Sequence, residues 1–202
     1  MKSSAQLACA LIALTLGYTC LASIAHAVEQ KNLPPSTLED TILARIGAVH
    51  ERQNHFHEVR ILAVLTKPLE SSGTLTWHAP DYLEKLTETP RREDLIIQGE
   101  SVMVTRGTAQ PQTLDATRNP ALQLLADTLR APLSGDLTLL RRYYHVSASG
   151  NEASNWTLTF APAAAEVAKL VQKVSISGIN NAITRLEILQ ANGDSQIIMI
   201  TL

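Results

Sequence analysis

Ser72-Gly73-Thr74-Leu75-Thr76-Trp77-His78-Ala79-Pro80 sets large apolar side chains, Leu75 and Trp77, at every second residue, with Thr74, Thr76 and His78 between them. Successive side chains of an extended strand point to opposite faces, so the stretch reads as a strand with one greasy face, stopped by a proline turn. Asn155-Trp156-Thr157-Leu158-Thr159-Phe160 repeats the pattern far along the chain. The greasy faces of such strands can line one concavity.

Working outward, short β-branched runs separated by turn residues predict strands over 56–65, 73–78, 82–87, 94–98 and 101–105. A second set is expected over 143–148, 155–160, 173–179, 183–190 and 196–201. Asn192-Gly193 is a strong hairpin signal, because both residues accept positive φ, and Asn180-Asn181 is a weaker one. Consecutive strands then pair as an antiparallel meander. Leu95-Ile96-Ile97, Val102-Met103-Val104 and the run from Ile197 to Ile200 are apolar on both sides. Such strands need cover on both faces, expected from a long helix outside and a ligand space or lid inside. A barrel filled by its own side chains gives the same pattern.

Ser36-Thr37-Leu38-Glu39 forms a capping box, and Leu38, Ile42, Ile46 and Val49 recur at helical spacing. An amphipathic helix is therefore expected to about Gln53. Residues 107–118 show no period and read as a loop. Asn119-Pro120 is an N-cap followed by proline at the first helical position, and Ala121, Leu122, Leu124, Leu125 and Leu129 follow on an unusually greasy helix. After a break at 132–135 a second helix is expected over 136–142. These two helices stand between the halves of the sheet, where a lid would be inserted. A small helix is expected within 162–172.

The start of the chain reads as a secretory leader: Lys2, an apolar stretch over 7–21, then Ala25-His26-Ala27 as the cleavage pattern. The apolar stretch is interrupted by Thr15, Gly17 and Thr19, whereas a membrane span needs roughly 20 continuous apolar residues. Cys20 raises the alternative of a lipoprotein signal, but Tyr18 and Thr19 before it spoil that pattern. The expected organisation is a signal peptide over 1–27, an extended leader over 28–35 containing Pro34-Pro35, and one domain over 36–202. Cys9 and Cys20 depart with the leader, so a hydrophobic core rather than disulfides must hold the mature fold. The net charge of −2 becomes one unit more negative without Lys2, and no basic tract suggests nucleic acid or an anionic membrane surface. Aromatic residues make up 4% of the chain, and aliphatic walls suit flexible acyl chains better than flat rings.

No nucleophile elbow or glycine-rich phosphate loop is present. His50 and His55 stand five apart rather than four, so on a helix they diverge by roughly 140°. His55 and His57 would share a strand face, with Glu58 or His78 nearby. That offers a metal-assisted hydrolase as a rival reading, against the plainer account of exposed strand histidines. Arg91-Arg92-Glu93-Asp94 and Arg141-Arg142 read as solvated charge clusters or as docking points for a partner.

The segment from Ser72 to Pro80, continuing through Leu83-Glu84-Lys85 and Pro90 to Leu95-Ile96-Ile97-Gln98-Gly99, resembles the LolA-like family of periplasmic outer-membrane lipoprotein carriers. Asn119-Pro120-Ala121-Leu122-Gln123-Leu124-Leu125 is similar to that family's lid segment, and the order of elements agrees over 36–202. The resemblance implies an α+β, mainly β fold: an incomplete antiparallel β-barrel, or half-barrel, closed by lid helices, with an N-terminal amphipathic helix. It also implies a periplasmic, non-enzymatic carrier without cofactor or metal, which ferries lipoprotein acyl chains from an inner-membrane exporter to an outer-membrane acceptor. At ~0.8 kcal/mol per buried methylene, acyl chains leave a bilayer only if a cavity replaces most of that burial.

On this reading Leu75, Trp77, Leu83, Trp156, Leu158, Phe160, Val174 and Ile176 line the lipid cavity, and Leu122, Leu125 and Leu129 form the lid. The protein is expected to act as a monomer. The well-known LolA carriers that this chain resembles have an arginine before the proline that ends the Gly-Thr-Leu strand, where it helps hold the lid closed. This chain has Ala79 there, with Arg60 and Arg92 as possible substitutes. A changed gate suits a different apolar cargo, so the alternative is a carrier of an aryl-polyene or glycolipid-like acyl product for a dedicated export system.

Overall fold

The computed structural model describes residues 36–202, so the expected leader and the segment 28–35 lie outside the described residues. The first helix, α1, spans Leu38–Gly47. Its N-cap is Thr37 rather than Ser36: the Thr37 hydroxyl accepts from the Asp40 amide and the Asp40 carboxylate accepts from the Thr37 amide. The cap thus sits one residue later than expected. The helix is also shorter than expected, because from Glu51 the chain is already strand.

Strand β1 (Glu51–Ile61) is followed by β2 (Leu69–His78), β3 (Tyr82–Thr89), β4 (Glu93–Gln98), β5 (Ser101–Arg106) and β6 (Gln112–Asp115). The expected loop over 107–118 therefore contains an edge strand, then a short 3-10 turn over Ala116–Arg118. Helices α2 (Pro120–Ser134) and α3 (Leu137–Tyr143) come next. Strands β7 (Tyr144–Gly150) and β8 (Asn155–Pro162), a short helix α4 (Ala165–Ala168), and strands β9 (Val171–Ile179), β10 (Ala182–Gln190) and β11 (Ser195–Thr201) complete the chain.

The 11 strands of the described residues form one antiparallel sheet in the order β6-β5-β4-β3-β2-β1-β11-β10-β9-β8-β7. Strand β1 sits at its centre, paired with β2 on one side and β11 on the other. The edges β6 and β7 do not pair with each other, so the sheet is an incomplete barrel. The chain crosses from one edge to the other once, through α2 and α3.

Register fixes which residues share the inner face. Arg52 stands opposite Trp77, Trp77 opposite Leu83, Leu83 opposite Ile97, and Ile97 opposite Val102. Further along the strands Glu58 stands opposite Ile198, Ile198 opposite Leu186, Leu186 opposite Ile176, and Ile176 opposite Leu158. Helix α1 contributes Ile42, Leu43 and Ile46 to the same apolar cluster as Leu158, Phe160 and Ile176. It therefore packs on the inner face, and the expected outer covering helix is corrected. Ile96, Met103 and Ile197 point outward and are half-buried within the sheet surface, while Met199 is exposed.

Helix α2 starts at Asn119, whose side-chain oxygen accepts from the amides of Ala121 and Leu122. It runs through Pro132 instead of breaking there, since a proline in the last turn removes only one helical bond. Gly135 ends it in the left-handed conformation with φ 71°, and the Asp136 amide donates to the Ala131 carbonyl. Here α1 and α2 meet backbone to backbone. A Cβ on Gly135 would lie 2.9 Å from the Leu43 carbonyl oxygen, and one on Gly47 would lie 2.9 Å from the Gly135 nitrogen. Gly107 has a similar φ of 57° but nothing within 4 Å. Gly135→Ala is expected to cost about 1–3 kcal/mol more than Gly107→Ala in urea unfolding, isolating the helix contact from the shared left-handed penalty. Equal costs would show that the two helices do not depend on this approach.

Candidate functional site

The inward-facing apolar residues form two separate cores. Beneath α1, α2 and α3, the larger contains Ile42, Ile46, Leu140, Tyr144, Trp156, Leu158, Phe160 and Val174. The smaller joins Ile97 and Val102 of the sheet to Ala116 and to Ala126 of α2, with Leu83, Leu95, Leu122 and Leu129 packed against it. Between the two lies a cavity of about 370 Å³, within the size range of small-molecule sites.

Four of the eight residues expected to line a cavity do so: Leu75, Trp77, Leu83 and Ile176. The structure places Trp156, Leu158, Phe160 and Val174 elsewhere, at 2% exposure or less in the larger core. Alternation correctly put them on the inner face, but α1 and α3 occupy that part of it. Of the helix residues, Leu125 and Leu129 reach the cavity together with Pro132 and Leu133, forming a stripe at helical spacing along α2. Leu122 instead packs against the smaller core. Ile183, Leu186, Ile188, Ile198 and Ile200 line the opposite wall.

Part of the apolar lining is incompletely covered, although Trp77, Ile97, Ile176 and Ile198 are buried. Leu125 is 40% exposed, and Leu75, Leu83, Leu95, Leu133, Ile183 and Leu186 are only half-buried. Leu158 and Phe160, a few strands away on the same face, are fully buried.

A polar wall adjoins the apolar one. Arg52, Asn54, Glu58 and Arg60 alternate along the inner face of β1, and Lys85, Glu93, Gln190 and Gln196 join them around the cavity. Glu58 is 1% exposed. It accepts from the Ser71 hydroxyl at 3.1 Å, from the Gln196 amide at 2.7 Å and from the Lys85 ammonium, whose nitrogen lies 5.0 Å from the centre of the Phe56 ring. A buried carboxylate is tolerable only when paired and hydrogen-bonded in this way. Arg52 donates to the carbonyls of Ile46 and Asn181, tying the end of α1 to the β9–β10 turn, and burial lowers its pKa.

Helix α2 is fixed by polar contacts that sequence reading missed. Asp127, 3% exposed, accepts from Gln123, Arg130 and the Tyr143 hydroxyl. Arg130 also donates to the Gly99 carbonyl in the β4–β5 turn, at 2.6 Å. The Thr128 and Tyr144 hydroxyls share a hydrogen bond of 2.8 Å. Burial raises the pKa of both tyrosines, with the Tyr143–Asp127 hydrogen bond adding to the rise and the Thr128 contact opposing it for Tyr144. Both phenols therefore remain neutral at physiological pH. Arg130 thus fastens the helix to the sheet. Arg60 is on the polar wall, and Arg92 accepts at its carbonyl from the Gly107 amide near the β3–β4 turn.

His55 and His57 project from the outer face of β1, opposite in direction to Glu58. His78 lies 3.9 Å from Glu51, and His57 lies 3.8 Å from Glu70. Among the described residues no group of three or more His, Cys, Asp or Glu side chains is placed to hold a metal ion. No helix among them is long and apolar enough to cross a membrane.

The family described as outer membrane lipoprotein carrier protein LolA-like matches residues 33–201. No curated protein matches the chain. Among solved structures it is similar to the LolA superfamily protein NE2245 from Nitrosomonas europaea, with 11% identity and a TM-score of 0.42 over 83% of this chain and 93% of that one. A DUF1329 family protein from Desulfovibrio piger ATCC 29098 shows 9% identity and a TM-score of 0.45 over 81% and 88% of the two chains. For the MucA/MucB complex of Pseudomonas aeruginosa the values are 13% and 0.43, over 81% of this chain and 55% of that one. Identities this low do not extend to what those proteins bind.

The division between core and cavity is measurable. Leu158→Ala is expected to destabilise the protein by about 2–5 kcal/mol, and Leu125→Ala by less than about 1 kcal/mol, read from urea midpoints at unchanged slope. Comparable losses at both positions would mean that Leu125 belongs to a packed core.

Proposed function

Because the chain belongs to the family of LolA-like outer membrane lipoprotein carrier proteins, we propose that it is a periplasmic carrier that shelters lipid acyl chains in the cavity beneath α2. The observation that carries this reading is the pair of separate cores with half-covered leucines between them. Apolar surface left uncovered forgoes about 25 cal/mol per Å² of stabilisation, and a hydrocarbon chain inserted there recovers it. The occupants of the wall are Leu75, Trp77, Leu83 and Ile176, with Leu125, Leu129 and Leu133 above them.

In this reading the leader directs export, and lipoproteins are received from an inner-membrane exporter and delivered to an outer-membrane acceptor by a monomeric protein without catalysis. Fastening α2 through Asp127, Arg130 and two tyrosines leaves its cavity-facing stripe available to cargo. Ala79, where the well-known LolA carriers hold a gate arginine, favours a second reading with the same fold: a carrier of an aryl-polyene or glycolipid-like acyl product for a dedicated exporter.

Trp77 lines the cavity and Trp156 lies in the closed core, so the two tryptophans report separately. Titrating a saturated long-chain fatty acid is expected to change emission saturably in Trp156→Phe and not in Trp77→Phe. Absence of any saturable change would contradict a hydrocarbon-binding cavity. Release of lipoproteins from spheroplasts by the purified protein supports the lipoprotein role; fatty-acid binding without such release points to the second cargo.

A further inference from the structure

The cavity wall is chemically divided, and the division says what kind of amphiphile fits. Along one direction the lining is aliphatic, from Leu75 and Leu83 across to Leu186 and Ile198, beneath Leu125 and Leu133. Toward the far end of β1 it turns polar, with Glu58, Arg60, Lys85, Gln190 and Gln196. Within that polar group both Glu58 oxygens are already engaged, one by Gln196 and the other by Ser71 and Lys85.

Arg60 is left over. Its Nε is 3.9 Å from Glu58, too long for a hydrogen bond, and the same carboxylate already neutralises Lys85. Glu93, the other carboxylate of the lining, is matched by Arg106 at 2.7 Å. Arg60 makes no side-chain hydrogen bond among the described residues, and its side chain is 47% exposed. The polar wall is therefore rich in donors and short of acceptors: Arg52, at the other end of β1, is taken up by two backbone carbonyls, while Arg60 lacks both a full counter-charge and a hydrogen-bond partner beside an apolar space.

We infer that the cavity takes a single-chain amphiphile with an anionic head group, its tail beneath α2 and its carboxylate or phosphate oxygens on the Arg60 guanidinium, with Lys85 and Gln190 alongside. A planar guanidinium offers paired donors to such oxygens, whereas an ester or alcohol head leaves them unmatched. This inference rests on the proposed hydrocarbon-binding role and adds the head-group chemistry to it. Because Arg60 is half exposed, the preference is modest rather than absolute.

The test is a titration, followed through Trp77 emission in Trp156→Phe, with four ligands of one chain length: the fatty acid, the alkyl phosphate, the fatty-acid methyl ester and the alkyl amine. At a pH where the acid is ionised, at least one of the two anions is expected to bind about tenfold more tightly than the ester, the low end for one charge-assisted hydrogen bond. The amine is expected to bind more weakly than the ester. Whether acid or phosphate is preferred distinguishes a free fatty acid from a single-chain, phosphate-headed lipid as the source. Arg60→Gln brings the preferred anion to within about twofold of the ester, and Arg60→Lys keeps the greater part of the preference. Equal binding of acid, phosphate and ester, or a preference that survives Arg60→Gln, overturns this inference and leaves the carrier reading standing. Failure of every ligand to bind overturns both.

Discussion

Strands β1 and β11 pair with each other at the centre of the sheet, so the chain has to travel between the free edges β6 and β7 once. The only elements available for that crossing are the 3-10 turn, α2 and α3. Helix α2 has 15 residues, about 22 Å at 1.5 Å per residue. It spans the inner side of a curved sheet whose edges never meet. Because it belongs to both halves, it packs against each of them: Leu124 and Ala131 enter the larger core and Ala126 the smaller. One helix cannot fill the space between two diverging sheet halves with a single stripe of side chains, and the cavity is what remains.

Polar contacts position this helix where apolar packing is incomplete. Asp127 gathers three donors in a nearly water-free setting, and Arg130 links the helix to the β4–β5 turn. Hydrogen bonds to charged groups contribute about 1.5–3 kcal/mol each, while an unmatched Asp127 would be expensive. They specify where α2 sits without covering Leu125 or Leu133. On the opposite wall, Glu58 of β1 plays a comparable part by pinning Lys85 of β3 and Gln196 of β11, across four neighbouring strands. The result is a lining whose shape is held by polar side chains and whose area is largely hydrocarbon.

Much of this was legible in the sequence, for reasons that differ by element. Strands such as 73–78 and 155–160 announced themselves because their period of two is strict, and α2 because Asn119-Pro120 is an unambiguous start. Alternation assigns a residue to a face, yet says nothing of what covers that face; hence Trp156 and Trp77 looked equivalent although α1 buries one and the cavity receives the other. The end of α1 was misplaced because Val49 continues the helical period by chance, while the alternation of Arg52, Asn54, Phe56, Glu58 and Arg60 on the inner face of β1 is polar enough to hide a strand. That same alternation was the available signal for the polar wall. The lock at Asp127 and Arg130 could not be read, since its partners Gly99 and Tyr143 are distant or carry no local mark.

The central claim is that the leucines between the two cores face a space that receives hydrocarbon. Methyl-resolved NMR of the protein with a bound saturated chain measures this most directly. Contacts between ligand and the methyl groups of Leu75, Leu83, Leu125, Leu133 and Leu186, with none to Ile42, Leu43, Leu140 or Leu158, are the predicted result. Ligand contacts confined to the outer face of the sheet, or spread evenly over both groups, would contradict the account.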